Sequence, residues 1–364
     1  MSRPKYFDIG VNFTDPMFHG SYHGRQCHPG DIEDVVLRAK TFHVRKMLLT
    51  GSSLSESRET LVIASAMPDY LYTTVGVHPC SVNEINEENQ EQYLRDLREL
   101  ALSGTRAGFV KAFGEIGLDY DRLHYTPADV QKKYFKLQLD IAVEVGLPLF
   151  LHMRAANDDF CEIIEPYLPS LPKGGVVHSF TGTKDELDKL LSLGFYIGVN
   201  GCSLKTEENL EVVKHIPLDR LLVETDAPWC EIRPTHAGYK YLTPYPNETY
   251  PSVITKQSSL IKVSDYRNAL ANVDKGIKMD PLLPFPLLKK DQYSKYDAST
   301  RTLTGSLASP LIKGRNEPVH IGQVVEIIAN VRGESVQTVM EAAYNNSFKL
   351  FDIEEDEEDE FFQY

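Results

Sequence analysis

The chain has 364 residues, of which 42% are hydrophobic and 25% are charged, a composition typical of a globular protein. Its formal net charge is −14, and half of that charge comes from one run of seven acids at 354–360. This balance argues against a broad basic groove for nucleic acid, but it leaves room for a compact site built around metal ions.

Cysteine usage and hydropathy indicate where the protein resides. The five cysteines are scattered and form no CxxC pair, which argues against a zinc finger or a disulfide framework and indicates a reducing compartment. The N-terminal segment has no apolar signal core, and no apolar run approaches the roughly 18 residues of a membrane span. We expect a protein of the cytoplasm or nucleus that is neither secreted nor bound to a membrane.

Short apolar runs alternate with longer amphipathic stretches along most of the chain. Eight runs have the length and composition of strands: KYFDIGV, RKMLLTG, YLYTTVGVH, FVKAFGEIG, LPLFLHM, GGVVHSF, FYIGVNG and RLLVETD. Helical patterns lie between them, and two of these end at Gly146 and Gly194, which are placed as C-terminal caps. The order predicts parallel pairing in a TIM (β/α)₈ barrel. An open doubly wound sheet is the alternative, although no GxGxxG turn follows the first strand.

The regular alternation stops after the eighth strand. From about 230 to 313 the chain is rich in tyrosine, proline and lysine without clean periodicity, which predicts a long insertion in the eighth βα connection. Two helical patterns then follow. We expect residues 1–352 to form a single barrel domain and residues 353–364 to form an acidic, disordered tail.

Ionisable side chains recur at the C-terminal ends of the predicted strands. Glu115, His152, His178 and Asp226 each follow an apolar run, and His78 ends a fifth. In a barrel these ends converge at one mouth, where catalytic groups belong.

Each of these residues taken singly has an ordinary structural interpretation, as a hydrogen-bonded histidine or a helix-capping carboxylate. Together they favour a cation, because burying two carboxylates and two imidazoles without one is costly. Oxygen and imidazole ligands suit Mg²⁺, Mn²⁺ or Zn²⁺ and do not select among them.

These segments resemble a known family. GEIGLDY, LHMR, VHSFTG and HIPLDRLLVETDAPW are similar to the signature blocks of TatD-type metal-dependent deoxyribonucleases, a branch of the amidohydrolase-like barrels. KGRNEPVHI and NSFKLF near the C-terminus match the same family, and the long late insertion is like that of its eukaryotic members.

The resemblance implies a TIM barrel that hydrolyses DNA phosphodiesters, as a hydrolase of ester bonds using one or two divalent ions. Glu115 would bridge the ions, and His152 and His178 would complete their coordination. Asp226 would hold a metal and orient or deprotonate the attacking water. His78 would contact phosphate or protonate the leaving group, although a structural role is equally compatible.

Three further residues are candidates for contacts with substrate phosphate. Arg154 follows the fifth strand, Arg315 precedes the terminal helices, and Asn12 ends the first strand. Arg315 has an alternative role, which is to pair with Glu317 and anchor the terminal helices.

The first strand departs from the pattern of many amidohydrolase-like barrels. Gly10 and Asn12 stand where those barrels have the two histidines of an HxH motif. Fewer protein ligands leave more coordination to water and phosphate, which favours Mg²⁺ over Zn²⁺. Asp8 is expected to support the site through a neighbour rather than bind metal.

Two other functions stay open at this stage. The same barrel can hydrolyse an amide, a lactone or an aminoacyl ester, because fold does not determine function. A degenerate barrel could instead be a non-catalytic interaction protein. The sequence leaves open exonuclease or endonuclease action, strand polarity and oligomeric state, and a monomer is compatible with it. Tyrosines of the insertion, such as Tyr245 and Tyr250, would either stack on bases or pack on the barrel.

Overall fold

The computed structural model describes residues 3–252, 278–296 and 309–355. The remaining parts of the predicted insertion, and the acidic tail beyond residue 355, lie outside the described residues. Ile353, the first residue of the predicted tail, is instead buried in a core cluster, so the expected disorder stays a prediction only beyond residue 355.

Eight parallel strands form the central sheet, and they neighbour one another in chain order. The strands are β1 (Tyr6–Val11), β2 (Val44–Leu49), β3 (Leu71–Val75), β4 (Val110–Asp119), β5 (Leu149–Arg154), β6 (Gly175–Val177), β7 (Tyr196–Val199) and β8 (Leu221–Val223). A parallel bridge between Val11 and Ala227 joins the two ends, with the Asn12 amide donating to the Ala227 carbonyl at 2.8 Å. The barrel prediction is confirmed, and the open doubly wound sheet is wrong.

Nine α-helices lie in the described residues, most of them between successive strands. They are α1 (Ile32–Thr41), α2 (Leu54–Ser65), α3 (Gln90–Arg106), α4 (Ala128–Val145), α5 (Asn157–Ile164), α6 (Lys184–Ser192), α7 (Glu207–Lys214), α8 (Ile321–Arg332) and α9 (Val336–Phe351). Helix α4 ends at Gly146 in the left-handed conformation, as its sequence predicts. Helix α6 begins with a capping box between Thr183 and Glu186.

Shorter elements fill the connections. The 3₁₀ turns of the described residues are Pro16–His19, Val82–Glu84, Tyr120–Arg122, Glu165–Ser170, Cys202–Leu204, Leu218–Arg220, Ala237–Tyr241, Tyr293–Lys295 and Pro318–His320. In the part of the chain that the structure describes, five short strands lie outside the barrel: Ser21–Tyr22, Arg25–Gln26, Lys278–Met279, Pro286–Leu288 and Leu311–Ile312.

One end of the barrel is filled with apolar side chains. Every strand contributes at least one buried residue to a single cluster: Phe7 and Ile9 from β1, and Leu48, Tyr72, Ala112, Phe150, Val176, Tyr196 and Leu222 from the other seven. Helix α9 covers this cluster with Leu350 and Phe351, and Phe348 meets the Phe7 ring edge-on at 5.6 Å. Because this end is closed, the polar groups at the carboxyl ends of the strands collect at the opposite mouth.

The described part of the predicted insertion packs on the barrel. Tyr245 and Tyr250 are almost completely buried and contact Phe42, at the end of α1, edge-on. These two tyrosines therefore do not stack on bases, and the packing alternative holds for them. Among the described residues, no helix is both long and apolar enough to cross a membrane.

Candidate metal centre at the barrel mouth

The strands bring a carboxylate and two imidazoles into direct contact. Glu115 lies in β4, His152 lies in the neighbouring β5, and His178 follows β6 directly. Glu115 Oε1 is 2.8 Å from His152 Nδ1 and 2.6 Å from His178 Nε2. All three side chains are largely buried, so their charges interact in a medium that screens weakly.

His78 completes a ring of imidazoles around the same oxygen. Its Nε2 lies 3.4 Å from Glu115 Oε1, and its Nδ1 accepts a hydrogen bond from the Cys80 amide at 3.0 Å. The ligand atoms of His78, Glu115 and His152 all lie within 4.8 Å of one another, and so do those of His78, Cys80 and Asp119. Four of the five predicted strand-end residues, Glu115, His152, His178 and His78, therefore lie close together at the mouth.

Asp119 belongs to this cluster, although the sequence interpretation missed it. Its Oδ2 is 3.0 Å from His152 Nε2, so His152 lies between two carboxylates. Asp119 lies four residues after Glu115 on the same strand. Because alternate residues of a strand share a face, this spacing could have predicted that the two carboxylates lie on the same side. That signal was weak because an acid at a strand end also commonly caps the next element.

The local charges set the protonation of these groups. Burial would raise the pKa of Glu115, but the His178 charge and the hydrogen bonds from His152 and His178 hold it well below its usual range. Burial opposes a charged imidazole, yet the neighbouring carboxylates raise the pKa of His152 and raise that of His178 well above normal. His78 differs, because burial lowers its pKa to about 3 despite Glu115. It is neutral at pH 7.

Asp226 lies on the other side of the mouth, beside β1. Asn12 Nδ2 donates to its Oδ1 at 2.9 Å, and the Cys230 thiol donates to its Oδ2 at 3.3 Å. Burial, with the Glu224 and Glu115 charges, raises the pKa of Asp226 to about 6, although His178 and Asn12 act against this. Asn12 therefore contacts a predicted ligand directly.

Asp8 supports this side of the mouth through a neighbour, as expected. Its carboxylate accepts hydrogen bonds from the backbone amide and the hydroxyl of Thr225, the residue before Asp226. Burial raises the pKa of Asp8 to about 8, against the effect of these hydrogen bonds.

Glu224 is a second residue that the sequence interpretation missed. Its Oε1 accepts hydrogen bonds from the Ser179 amide at 2.7 Å and from Asn200 Nδ2 at 3.0 Å. A Cβ atom at Gly10 would lie 3.2 Å from Glu224 Oε2, and one at Gly198 would lie 3.1 Å from it. The glycine in place of the first HxH histidine therefore leaves space that the Glu224 carboxylate occupies.

Several buried polar atoms around the mouth make no hydrogen bond to any described residue. They are Asp119 Oδ1, His178 Nδ1 and Glu224 Oε2. His178 Nδ1 lies 3.4 Å from Glu224 Oε1, but the contact lacks hydrogen-bond geometry. Buried carboxylate oxygens are rarely left unpaired, so these atoms fit a site whose charge is completed by cations.

Four of the eight described non-glycine residues with positive φ lie in connections at the same mouth. Ala155, Ser179, Asp226 and Cys230 have positive φ values of 51°, 49°, 53° and 55°, and each follows a barrel strand. Non-glycine residues adopt this region at an energetic cost, and such residues cluster at functional sites.

Arg154 borders the centre on its solvent side. Its Nη1 is 3.6 Å from Asp119 Oδ2, and about a quarter of the side chain is exposed. It also lines an open cavity of about 420 Å³, together with Thr181 and Lys184 after β6 and Asn209 in α7. Arg154 therefore lies between the cluster and a space large enough for a nucleotide.

Arg315 does not join the site. Its side chain is fully buried, with Nη1 at 2.6 Å and Nη2 at 2.7 Å from the two carboxylate oxygens of Asp31, and Nη2 at 2.8 Å from Glu317 Oε1. The pairing with Glu317 is present, and burial against two carboxylates leaves no access for a phosphate. The sequence offered the pairing with Glu317 as an alternative, but it gave no sign of Asp31, which is 284 residues away.

The barrel and its donor set define a metal-dependent barrel hydrolase with a divalent-metal centre at the C-terminal mouth. The model of the TatD related DNase family matches residues 7–269, and the chain belongs to that family.

Relatives of known sequence or structure agree with this assignment. A deoxyribonuclease Tat-D from Schizosaccharomyces pombe is 44% identical over 95% of both chains. A 3'-5' ssDNA/RNA exonuclease TatD from Pectobacterium atrosepticum is 40% identical over 64% of this chain and 84% of its own. The crystal structure of an uncharacterized amidohydrolase from Saccharomyces cerevisiae is 36% identical, with a TM-score of 0.74 over 95% of this chain and 99% of its own.

Proposed function

We propose that this chain is a divalent-metal-dependent deoxyribonuclease that hydrolyses DNA phosphodiester bonds at the barrel mouth. The observation that carries the proposal is the convergence of three imidazole nitrogens on one buried oxygen of Glu115, at 2.6, 2.8 and 3.4 Å. Family membership and the deoxyribonuclease and exonuclease names of its relatives support DNA as the substrate.

The donor set fits one or two divalent ions. Glu115, His152, His178 and Asp226 would hold them, and the neutral His78 would serve as a further nitrogen ligand. A bound divalent ion lowers the pKa of coordinated water and screens the charge of the phosphate under attack.

The chain's own groups supply orientation and proton transfer. Asp226 is held at the mouth by hydrogen bonds from Asn12 and the Cys230 thiol, so this carboxylate would take the proton of the attacking water at one of its oxygens. Asn12 Nδ2 holds the other oxygen and orients the carboxylate. His78, with a pKa of about 3, suits a ligand or phosphate contact better than a proton donor.

Mg²⁺ is the ion we favour, with Mn²⁺ or Zn²⁺ as alternatives. No HxH pair stands on β1, and the Asp226 side of the mouth offers carboxylate and amide oxygens rather than imidazole. Mg²⁺ binds through a few carboxylates and keeps waters that phosphate can replace.

Cleavage of labelled oligonucleotides by metal-stripped protein tests both parts of the proposal. We expect Mg²⁺ to restore cleavage, and Glu115→Ala to abolish it under every metal. Glu341→Ala, an exposed acid on α9 prepared identically, is the matched control and is expected to cleave normally. Cleavage that survives Glu115→Ala would reveal a contaminant and overturn the function. Rescue by Zn²⁺ and not by Mg²⁺ would overturn the choice of ion.

The domain boundaries and the compartment remain part of this proposal. We expect residues 1–352 to behave as one barrel domain that includes the 230–313 insertion, and residues 353–364 to be removable without loss of folding. Limited proteolysis followed by thermal unfolding of the product tests the boundary. Imaging of the tagged full chain tests the expected cytoplasmic or nuclear location.

A further inference from the structure

Two cysteines that are far apart in sequence meet beside Asp226. Cys202 opens the 3₁₀ turn after β7, and Cys230 lies in the connection after β8. Their Sγ atoms are 2.8 Å apart, and both residues are half-buried rather than enclosed in the core. All five cysteines of the chain lie in the described residues, and no other pair among them is in contact.

The backbone holds the two connections against each other. A Cβ atom at Gly201 would lie 1.9 Å from the Cys230 carbonyl oxygen, so only glycine allows this approach. Asn200 Oδ1 accepts from the Cys202 amide at 2.9 Å, and the Trp229 amide donates to the Asp226 carbonyl at 2.9 Å. The backbone contacts between the two connections therefore hold the thiols close together, independently of the side-chain rotamers.

The Cys230 thiol is also one of the two donors that orient Asp226. It donates to Oδ2 at 3.3 Å, while Asn12 donates to Oδ1 at 2.9 Å. A disulfide sulfur carries no proton, so a bond between the two cysteines would remove the donor to Oδ2. Of the two side-chain donors, only Asn12 would then still orient Asp226.

We infer that Cys202 and Cys230 form a reversible intramolecular disulfide, and that its formation weakens divalent-metal binding at the mouth by releasing Asp226. The second half rests on the proposed function, because it takes Asp226 as a metal ligand. The first half rests only on the positions of the two thiols.

The oxidant is a small-molecule disulfide of the glutathione class. The Cys202 thiolate attacks one sulfur of oxidised glutathione, and one glutathione thiolate leaves. The Cys230 sulfur then attacks Cys202 Sγ and displaces the second glutathione. The two protein thiols lose two electrons and two protons, which reduce one glutathione disulfide to two thiols.

Peptide mapping of the full-length protein tests the disulfide without any activity measurement. After equilibration in glutathione buffers of increasing oxidation, we expect a peptide linked through Cys202 and Cys230, and its loss on adding reductant. Cys202→Ser should abolish the link, whereas the matched control Cys161→Ser should retain it. Glutathione adducts alone, or a link through Cys27 or Cys80, would overturn the inference.

The single tryptophan gives an independent signal of the same event. Trp229 is adjacent to Cys230 and 53% exposed, and disulfides quench nearby indole fluorescence. We expect emission to fall on oxidation of the wild type and to stay constant in Cys202→Ser.

Calorimetry with Mn²⁺ alone tests the consequence for the metal. Loss of a group that orients a metal ligand typically weakens affinity 10- to 100-fold, and a thiol is a weak donor, so we expect about tenfold weaker binding after oxidation. Reductant should restore the affinity, and Cys202→Ser should show no redox dependence. Equal affinity of the oxidised and reduced wild type would overturn this half.

Substitutions at Cys230 separate the role of the thiol proton from that of the disulfide. Cys230→Ser keeps a hydroxyl donor, so it should bind Mn²⁺ more tightly than Cys230→Ala, which should resemble the oxidised wild type. The reverse order would contradict the inference. A protein that forms the disulfide and binds Mn²⁺ but cleaves no DNA would instead refute the proposed function alone.

Discussion

Two clusters of buried charge in this molecule use the same chemical groups and differ in how well those groups are paired. In the anchor network, defined as Asp31, Arg38, Arg315 and Glu317, two arginines face two carboxylates. The mouth cluster, defined as Glu115, Asp119, His152, His178 and Glu224, combines carboxylates with imidazoles. Both are almost completely shielded from solvent.

The difference lies in the atoms left without partners. In the anchor network Arg315 Nε is the one such side-chain atom among the described residues, and Arg38 pairs with Glu317 through two contacts at 2.8 and 3.1 Å. The mouth cluster leaves one atom unpaired on each of Asp119, His178 and Glu224. The anchor network, whose charges are nearly all paired, stabilises the fold because it joins α1 to the segment before α8. The mouth cluster, which leaves polar atoms unpaired, is suited to binding a cation.

The largest expected effect follows from breaking the mouth cluster at its centre. Glu115→Gln keeps the size of the side chain but removes the charge that three imidazoles face, so we expect DNA cleavage to fall by about a thousandfold or more. Single-turnover cleavage assays at saturating Mg²⁺ measure this. The free energy of unfolding should fall less than it does when the anchor network is broken. A variant that keeps a tenth of the wild-type rate would contradict the comparison.

Breaking the anchor network should act on stability instead. Glu317→Ala leaves the guanidinium of Arg38 without its carboxylate in a fully buried position, which typically costs about 3–5 kcal/mol. Denaturant unfolding measures the loss, and the folded fraction should cleave DNA at a rate close to that of the wild type. Glu341→Ala on the surface of α9 is the control for an acid whose loss is harmless. A large drop in the rate per folded molecule would place this network in the active site.

The barrel and the core of the mouth cluster could be predicted from sequence. The anchor network and Glu224 could not, for physical reasons. The strands carry buried apolar runs, and the carboxyl ends of parallel strands must converge, so Glu115, His152 and His178 were predictable as neighbours. The sequence could not choose between phosphate contact and Glu317 pairing for Arg315, because its second partner, Asp31, is 284 residues away and leaves no local pattern. Glu224 was missed because its place at the mouth depends on Gly10 and Gly198, which lie on other strands and leave space for its carboxylate. A single acid at the end of a strand does not reveal that dependence.

The pH dependence of stability and of metal binding provides a third test of the mouth cluster. The neighbouring carboxylates raise the folded-state pKa of His152 and His178, so these imidazoles stabilise the metal-free fold fully below their unfolded pKa of about 6.5. That contribution is lost as pH rises through the raised pKa values. Asp8, with its pKa raised to about 8, changes stability in the same direction.

Metal binding requires the same imidazoles to lose their protons, so it should follow the opposite trend. We expect the Mg²⁺-induced rise in unfolding temperature to grow by several degrees between pH 6 and 8.5, while the metal-free protein becomes less stable. Thermal unfolding with and without Mg²⁺ across this range measures both. Parallel trends with and without metal would show that these histidines are not ligands.

A smaller effect is expected at the border of the mouth. Arg154 lies between Asp119 and the 420 Å³ cavity, so Arg154→Ala should weaken the binding of the substrate strand more than it slows the chemical step. We expect KM for a short oligonucleotide to rise about tenfold and kcat to change less than threefold, because a single phosphate contact is worth roughly 1.5–3 kcal/mol at most. Lys184→Ala, farther along the same cavity, is the comparison variant. A fall in kcat with KM unchanged would move Arg154 into the chemistry.

The smallest effect on cleavage is expected from substituting Asn12, which directly follows β1 and stands where many related barrels have the second histidine of HxH. Asn12 Nδ2 donates to Asp226 Oδ1, and this hydrogen bond lowers the pKa of the carboxyl group against the effect of burial. Asn12→Ala should therefore raise the pKa of Asp226 and shift the acid limb of the rate profile to higher pH, with a loss of only a few-fold in rate at pH 8. Asn12→Asp places a second carboxylate beside Asp226 and should shift the limb further in the same direction. An unchanged acid limb in both variants would mean that another group accepts the proton, which would leave Asp226 with metal binding as its only role.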